Sequence, residues 1–105
     1  MAGTRTLTDV PARHRFELAV DGALAGFVTY SVPPGVIAFN HTETEPGFEG
    51  QGIGSDLARG VLDAAREREL KVWPRCPFIR GWIERHPDYA DLVDPAWRVD
   101  QEPAH

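Results

Sequence analysis

The stretch Gly50-Gln51-Gly52-Ile53-Gly54 constrains this chain more than any other, because it stands where a helix is predicted to begin. Three alternating glycines leave the backbone N–H groups of the turn unshielded by side chains. The exposed first-turn donors and the positive end of the helix dipole would converge on an anion. We expect this turn to hold a phosphate-bearing cofactor and the rest of the chain to form a small α/β scaffold. The alternative is a tight strand-to-helix connection without a ligand.

Size and charge exclude several classes of function. The chain has 105 residues, 42% of them apolar, which suffices for one compact domain. A net charge of −5 and the absence of a Lys/Arg block argue against nucleic acid as a partner, because electrostatic binding of DNA or RNA depends on neutralising many phosphates. One Cys and four His offer no paired ligand spacing, so we expect no metal site.

The expected compartment is the cytoplasm. A single cysteine allows no internal disulfide that would tie the fold to an oxidising environment. Residues 1–13 lack the apolar core of a secretory signal, and no apolar run approaches the roughly 20 residues of a membrane helix. We therefore expect a soluble protein without a membrane partner.

Period-two alternation predicts three antiparallel strands in a meander. Residues 15–20 form the first, and Asp21-Gly22 is typical of a two-residue hairpin turn. Residues 23–32 return, with Gly26 as a possible bulge or close approach, and residues 36–44 form the third strand. Leu24, Val28 and Tyr30 are predicted to lie on one face of the returning strand, and Phe27 on the other.

Alternation along the third predicted strand sorts its side chains into two faces. Ile37, Phe39, His41 and Glu43 fall on one side. The residues on the other side are Val36, Ala38, Asn40, Thr42 and Thr44.

Two amphipathic helices follow, separated by a short strand. Residues 52–68 carry an apolar stripe at helical spacing, and residues 70–75 are too few for a helix. The latter should be a strand parallel to the third, joined by a right-handed crossover. Pro77 favours the start of a second helix that ends before His86-Pro87. We expect residues 1–13 to be a flexible arm, 14–94 the domain and 95–105 a flexible tail.

A family resemblance rests on four pieces of sequence. They are His-Thr-Glu at 41–43, Phe-Glu-Gly-Gln-Gly-Ile-Gly at 48–54, Pro-Arg-Cys-Pro-Phe at 74–78 and His-Pro at 86–87. A strand, a turn of the form Arg/Gln-x-x-Gly-x-Gly/Ala opening a helix, and a second parallel strand resemble the acetyl-coenzyme A core of the GNAT acetyltransferase superfamily. The chain as a whole is similar to minimal GNAT-like proteins, which look like a stripped core of the larger enzymes.

The resemblance implies acetyl-coenzyme A, or coenzyme A, as the bound co-substrate. The backbone amides of residues 50–55 would bind the diphosphate, and the pantetheine arm would lie where the third and last strands diverge. The acetyl thioester would then lie close to Cys76. The residues expected to contact the cofactor are Thr42, Thr44, Gly50, Gln51, Gly52, Ile53, Gly54, Ser55, Cys76 and Phe78.

Two departures from the family pattern bear on function. Glu49 stands where the motif usually begins with Arg or Gln, and its carboxylate would repel a diphosphate unless it points away. Larger relatives often carry a tyrosine on the helix after the last core strand, where it protonates the leaving thiolate. This chain has Trp82 to Arg85 in that region, and Tyr89 comes only after the helix ends.

Three residues are candidates for the chemistry itself. Cys76, at a helix start beside Arg75, is either a small buried hydrophobe or a reactive thiol that accepts the acetyl group or acts as an acid near the coenzyme sulfur. His41 and Glu43 share a strand face, and either is a candidate base for an amine acceptor. Each has a purely structural alternative.

We therefore expect an acetyl-coenzyme A-dependent N-acetyltransferase that works by direct attack in a ternary complex. One alternative is a coenzyme A-binding module with little or no turnover, and another is a protein-interaction domain without a cofactor. The acceptor, a small amine, a peptide terminus or a protein lysine, is left open, as is the oligomeric state.

Overall fold

A computed structural model describes residues 3–97 and shows one five-stranded mixed sheet with two helices. The strands are β1 (Arg5–Val10), β2 (Arg15–Val20), β3 (Ala23–Ser31), β4 (Val36–Thr44) and β5 (Lys71–Pro74). The helices are α1 (Ile53–Glu67) and α2 (Pro77–Arg85), and short 3-10 helices cover Pro11–Arg13 and Pro87–Leu92. No helix among residues 3–97 is long and apolar enough to cross a membrane.

The strands lie side by side in chain order, β1 to β4 antiparallel and β4 to β5 parallel. The apolar stripes of α1 and α2 join the buried strand residues in one hydrophobic core. The predicted fold, an antiparallel meander followed by a β-α-β-α unit with a parallel strand pair, is confirmed. The hairpin at Asp21-Gly22 is also confirmed, and both of its residues have positive φ.

The flexible arm predicted for residues 1–13 is wrong from residue 5 onward, because Arg5–Val10 forms an edge strand paired with β2. Its inward side chains alternate with threonines and meet α1 at three points. Arg5 pairs with Asp56 at 2.6 Å, Leu7 packs over Gly60, and Asp9 pairs with Arg68 at 2.9 Å. The meander therefore has four strands, and β1 follows α1 from its first turn to its C-cap.

A β-bulge in β4 overturns the predicted division of that strand into faces. His41 opposes Thr29 and Phe39 opposes Tyr30, so Asn40 is an extra residue without an opposite number on β3. A bulge moves every later side chain to the other face. Thr42 and Thr44 therefore share the helix-covered face with Phe39, whereas the exposed His41 and Glu43 do not.

A second bulge lies in β3, next to the predicted position. Leu18 opposes Gly26 and Ala19 opposes Leu24, so Ala25 is the extra residue. Leu24 therefore lies on the face opposite to Val28 and Tyr30, which corrects the prediction that the three share one face. Ala25 is fully buried, while Leu24 is only half-buried. The bulge is close to Gly26, as the sequence suggested.

The segment after α2 folds back onto the sheet edge. Tyr89 and Leu92 are buried, Val93 pairs with Val72 on β5, and the Asp94 N–H donates to the Val72 carbonyl. Pro95 to Trp97 continue this packed turn, where the Trp97 N–H donates to the Asp94 carbonyl. The remainder of the tail predicted for residues 95–105 lies outside the described residues from 98 onward.

We expect the folded state to lose stability between about pH 10 and 12 through Tyr30. Burial, and then the hydrogen bond from its hydroxyl to Asp9, raise the pKa of Tyr30 to about 12. Because the folded pKa lies above the unfolded one, this stabilisation is complete below the unfolded pKa and disappears as pH rises through the folded pKa. Urea unfolding across this range should show a shallower decline for Tyr30→Phe than for the wild type.

The decline should not vanish in Tyr30→Phe, because the hydrogen bond from Tyr89 to Asp63 also raises the pKa of Tyr89. Tyr89→Phe is the matched variant. If the free energy of unfolding of the wild type and of Tyr30→Phe depended on pH in the same way, the predicted contribution of Tyr30 would be contradicted.

Candidate active site

A cleft of about 500 Å³ opens between the end of β4, the glycine turn, the first turn of α1 and one side of α2. It contains predicted contact residues from three separate stretches of sequence. It also contains five residues that the prediction did not assign to it. The lining residues are Thr44, Phe48, Glu49, Gly50, Gly52, Ile53, Gly54, Ser55, Phe78, Trp82, Arg85 and His86.

The glycine turn adopts a backbone that requires glycine. Gly50 has φ of 77° and Gly52 has φ of 75°, both in the left-handed region, and Gly52 is the N-cap of α1. Since a glycine N-cap has no side chain, it cannot satisfy the amides of the first turn. The amides of Ile53 to Ser55 therefore start a helix of 15 residues at the cleft wall, where the helix dipole favours an anion.

Gly54 serves a different purpose from the other two glycines. It lies inside α1, where a Cβ atom would come within 2.8 Å of the Phe78 ring. The absence of a side chain lets α2 approach the first turn of α1. Phe78 remains 40% exposed at this junction and forms an apolar wall of the cleft.

The inner wall of the cleft is built on Trp82. Its Nε1–H donates to Ser55 Oγ at 3.0 Å, which ties α2 to the first turn of α1. The His86 ring stacks on the indole with centroids 3.7 Å apart, and His86 Nδ1 lies 2.8 Å from the Trp82 carbonyl. A carbonyl only accepts, so Nδ1 carries a proton. His86 thus ends the helix, as expected, and also lines the cleft.

Helical spacing could have indicated this wall from the sequence. Phe78, Trp82, Arg85 and His86 fall at i, i+4, i+7 and i+8, which is one side of a helix. This spacing can be seen in the sequence, but no local feature of the sequence distinguishes a helix face that lines a cleft from one that packs in the core. Trp82 belongs to both, because it is only 1% exposed and still borders the cleft.

The charges around the cleft are mixed. Arg85 lines it from α2, next to His86 in sequence, and Glu49 lines it from the glycine turn. The Glu49 carboxylate is exposed and accepts a hydrogen bond from the Gly47 N–H at 2.9 Å. It is therefore held by its own loop through that contact. Gln51 does not line the cleft, and its carbonyl instead accepts a hydrogen bond from Arg5.

The two parallel strands separate beside the cleft, as the resemblance implied. Their ladder runs only from Val36 and Lys71 to Phe39 and Pro74, after which the Cys76 N–H donates to the Phe39 carbonyl. The bulge at Asn40 and the start of α2 at Pro77 then carry the chains apart. The β5-facing amides of residues 40–44 lie beyond this ladder, where a ligand's amide and carbonyl groups can pair with the strand.

Cys76 lies in this gap as the N-cap of α2 but is only 3% exposed. Its Sγ is 3.3 Å from Thr42 Oγ1, and the two groups share a hydrogen bond. Neither residue is among those that line the cleft. The Arg75 guanidinium lies 5.3 Å from the Trp73 ring. The chemical role predicted for Cys76 remains a prediction.

His41 and Glu43 lie on the sheet face opposite to the helices. Both side chains are more than half exposed, and His41 Nε2 is 3.7 Å from Glu43 Oε1. The His41 ring neighbours Phe27, with centroids 6.5 Å apart. The structure brings these two candidates together, as expected, but does not bring them to the cleft. Their part in the chemistry also remains a prediction.

No acidic, histidine or cysteine cluster among residues 3–97 could hold a metal ion. Tyr89, the nearest tyrosine after α2 in sequence, is 8% exposed and donates to Asp63 at 2.8 Å. That hydrogen bond raises the pKa of its hydroxyl. Tyr89 is therefore engaged with α1 and does not line the cleft.

The fold, the glycine turn and the strand separation define a class of protein. A sequence profile described as GCN5-related N-acetyl-transferase matches residues 15–92, and the chain belongs to this family. The resemblance inferred from the four sequence pieces is thereby confirmed. Strand β1 lies outside the matched residues.

Among individual proteins, the chain is similar to protein NATD1. It is 29% identical to NATD1 of Mus musculus and 31% identical to NATD1 of Gallus gallus, each over 62 residues. Each alignment covers 57% of this chain and 56% of the relative, so the similarity spans about half the length of those curated proteins.

Two solved structures share the fold. A GCN5-like putative N-acetyltransferase from Staphylococcus aureus superposes with a TM-score of 0.65 and 24% identity, covering 95% of this chain and 96% of that one. A ribosomal-protein-alanine N-acetyltransferase from Brucella melitensis gives a TM-score of 0.52 and 22% identity, covering 87% and 66%.

Proposed function

We propose that this chain is an acetyl-coenzyme A-dependent N-acetyltransferase that transfers the acetyl group directly to an amine. The observation that carries the proposal is the uncapped start of α1, which opens through Gly50 and Gly52 onto a cleft beside two separating strands. A diphosphate suits the helix start. An extended pantetheine arm suits the open side of β4.

The residues present fit such a cofactor along the whole cleft. The first-turn amides of α1 would bind the diphosphate, and the Arg85 guanidinium, which also lines the cleft, would add a cationic donor. Phe78 offers an apolar surface to the aliphatic arm. Glu49, held by the Gly47 N–H, would remain outside the anion site.

The transfer of the acetyl group needs no covalent enzyme intermediate. The amine nitrogen attacks the thioester carbonyl carbon, the C–N bond forms, and the C–S bond then breaks to release the coenzyme thiolate. The proton lost by the amine goes to solvent or a base, and the thiolate gains one. Backbone N–H groups of β4 past the bulge would polarise the carbonyl.

Cys76 is not the acyl carrier in this proposal. A thiol that is 3% exposed and bonded to Thr42 is poorly placed to attack a ligand in the cleft. His41 or Glu43 would serve as the base only if the amine approaches from the open sheet face. These roles are assigned by measuring acetyl transfer separately in Cys76→Ala, His41→Ala and Glu43→Gln.

A coenzyme A-binding module without turnover is the second candidate. It is favoured by the absence of tyrosine and cysteine from the residues that line the cleft and by the engagement of Tyr89 with Asp63. Binding without product would support it. No binding at all would leave the protein-interaction domain.

The binding test uses Ser55→Asp with Ser55→Asn as the matched neutral control. Ser55 lies in the first turn of α1, so an aspartate there favours the helix but repels a diphosphate. Both variants retain an acceptor for Trp82. We expect calorimetry with acetyl-coenzyme A to show roughly tenfold weaker binding for Ser55→Asp, about 1.4 kcal/mol, and little change for Ser55→Asn.

In the wild-type protein, the amide resonances of residues 50–55 should shift when acetyl-coenzyme A is added. Equal affinities for Ser55→Asp and the wild type would contradict a diphosphate at this helix start. Mass spectrometry of an amine panel after incubation with acetyl-coenzyme A then distinguishes enzyme from binder. Cys76→Ala should retain transfer, whereas complete loss of transfer in a folded Cys76→Ala protein would give Cys76 a chemical role, as acyl carrier or as acid.

A further inference from the structure

Arg5 on β1 connects two parts of the glycine-turn region. Its Nη1 donates to Asp56 Oδ2 at 2.6 Å, and its Nη2 donates to the Gln51 carbonyl at 2.8 Å. Asp56 belongs to the first turn of α1 and Gln51 to the turn before it. One side chain from an edge strand outside the family match thus holds both.

The contact with Asp56 changes the electrostatics of the helix start. A carboxylate in the first turn stabilises the helix but competes with a bound anion for the same dipole. The Arg5 guanidinium lies against this carboxylate and offsets its negative charge. Without Arg5, the anion site would face an uncompensated carboxylate one residue beyond Ser55.

The contact with Gln51 fixes the direction of one peptide group. In a trans peptide the C=O and N–H bonds point in opposite directions. A Gln51 carbonyl held towards Arg5 therefore aims the Gly52 N–H away from Arg5. Gly52 itself lines the cleft, where an N–H aimed away from Arg5 would join the donors of the first turn.

We propose that Arg5 is a positioning residue for the diphosphate of coenzyme A, acting by neutralising Asp56 and orienting the Gln51–Gly52 peptide. This inference rests on the proposed function. It also assigns β1 a role in ligand binding in addition to its pairing with β2.

The test compares Arg5→Gln, Asp56→Asn and the double variant by calorimetry with coenzyme A. We expect Arg5→Gln to weaken binding about fivefold, because an acid in the first turn is then unopposed. Asp56→Asn in the Arg5→Gln background should recover at least half of that loss on a logarithmic scale. A purely mechanical role of Arg5 would not produce this recovery, since the ion pair stays absent.

Arg13→Gln is the control, because it removes the same charge from an exposed site that pairs with Glu17 across 3.5 Å. Thermal melts identify a temperature at which every variant is folded. Equal affinities of Arg5→Gln and a wild type that binds would overturn the inference alone, as would a double variant no better than Arg5→Gln. A wild type that does not bind coenzyme A would overturn the proposed function and this inference together.

Discussion

Replacing Trp82 by alanine will lower the free energy of unfolding by about 3–5 kcal/mol, a large part of what holds a domain of this size together. The ring is 1% exposed and packs between His86 and Tyr89, with centroids at 3.7 Å and 5.2 Å. Its removal leaves a cavity and deletes the hydrogen bond to Ser55. Urea unfolding monitored by circular dichroism should show the change as a lower midpoint.

Two variants isolate the causes of the Trp82 effect. Trp82→Phe keeps most of the ring but loses the indole N–H, and should cost about 1–2 kcal/mol. Trp73→Ala removes a half-buried tryptophan whose indole N–H donates to Asp94, and should cost less than half as much as Trp82→Ala. Equal losses in Trp73→Ala and Trp82→Ala would contradict the central place of Trp82.

Replacing Gly26 by alanine will destabilise the fold by about 1–3 kcal/mol through overpacking. A Cβ atom there would lie 2.7 Å from the Glu43 carbonyl oxygen, 2.9 Å from Ile53 and 3.0 Å from Leu57. The oxygen belongs to the backbone of the neighbouring strand, so the clash cannot be relieved by a side-chain rotation alone. The end of β4 and the start of α1 must move apart.

The Gly26 variant should therefore also change the cleft, since Thr44 and Ile53 both line it. We expect its stability loss to be accompanied by weaker coenzyme A binding in calorimetry. Gly81→Ala is the matched control, because it lies in α2 and its Cβ would meet only Arg85 at 3.5 Å. That change should be neutral or stabilise by up to about 1 kcal/mol. A Gly26→Ala protein as stable as the wild type would contradict the close approach.

Local patterns predicted the elements well because their causes are local. Alternation placed β2 and β4, the apolar stripe placed α1, and Pro77 marked the start of α2. The same alternation was present in β1, where Thr6 and Thr8 separate Arg5, Leu7 and Asp9. Two of the three are charged, so the stripe lacked the apolar character that indicates a buried face.

The candidate site was only partly accessible to prediction. Thr44, the three glycines of the turn and Phe78 were assigned to the cofactor and line the cleft, whereas Trp82 lines it without having been assigned to it. His41 and Glu43 were placed on the wrong face because one extra residue, Asn40, reverses the alternation after it. A bulge depends on how two strands pair, and neither strand shows it by itself.

The amino-acid sequence alone determined the order of β2 to β5 and of the two helices, the parallel crossover and the glycine turn, because periodicity and backbone preference act over a few residues. The tertiary structure decided which residues meet at the turn. Arg5 and Asp56 are 51 positions apart, Asp9 and Arg68 are 59 positions apart, and the pairing of β1 with β2 brings both pairs together. Contacts of such sequence separation leave no local pattern, since they depend on the packing of the whole sheet against α1.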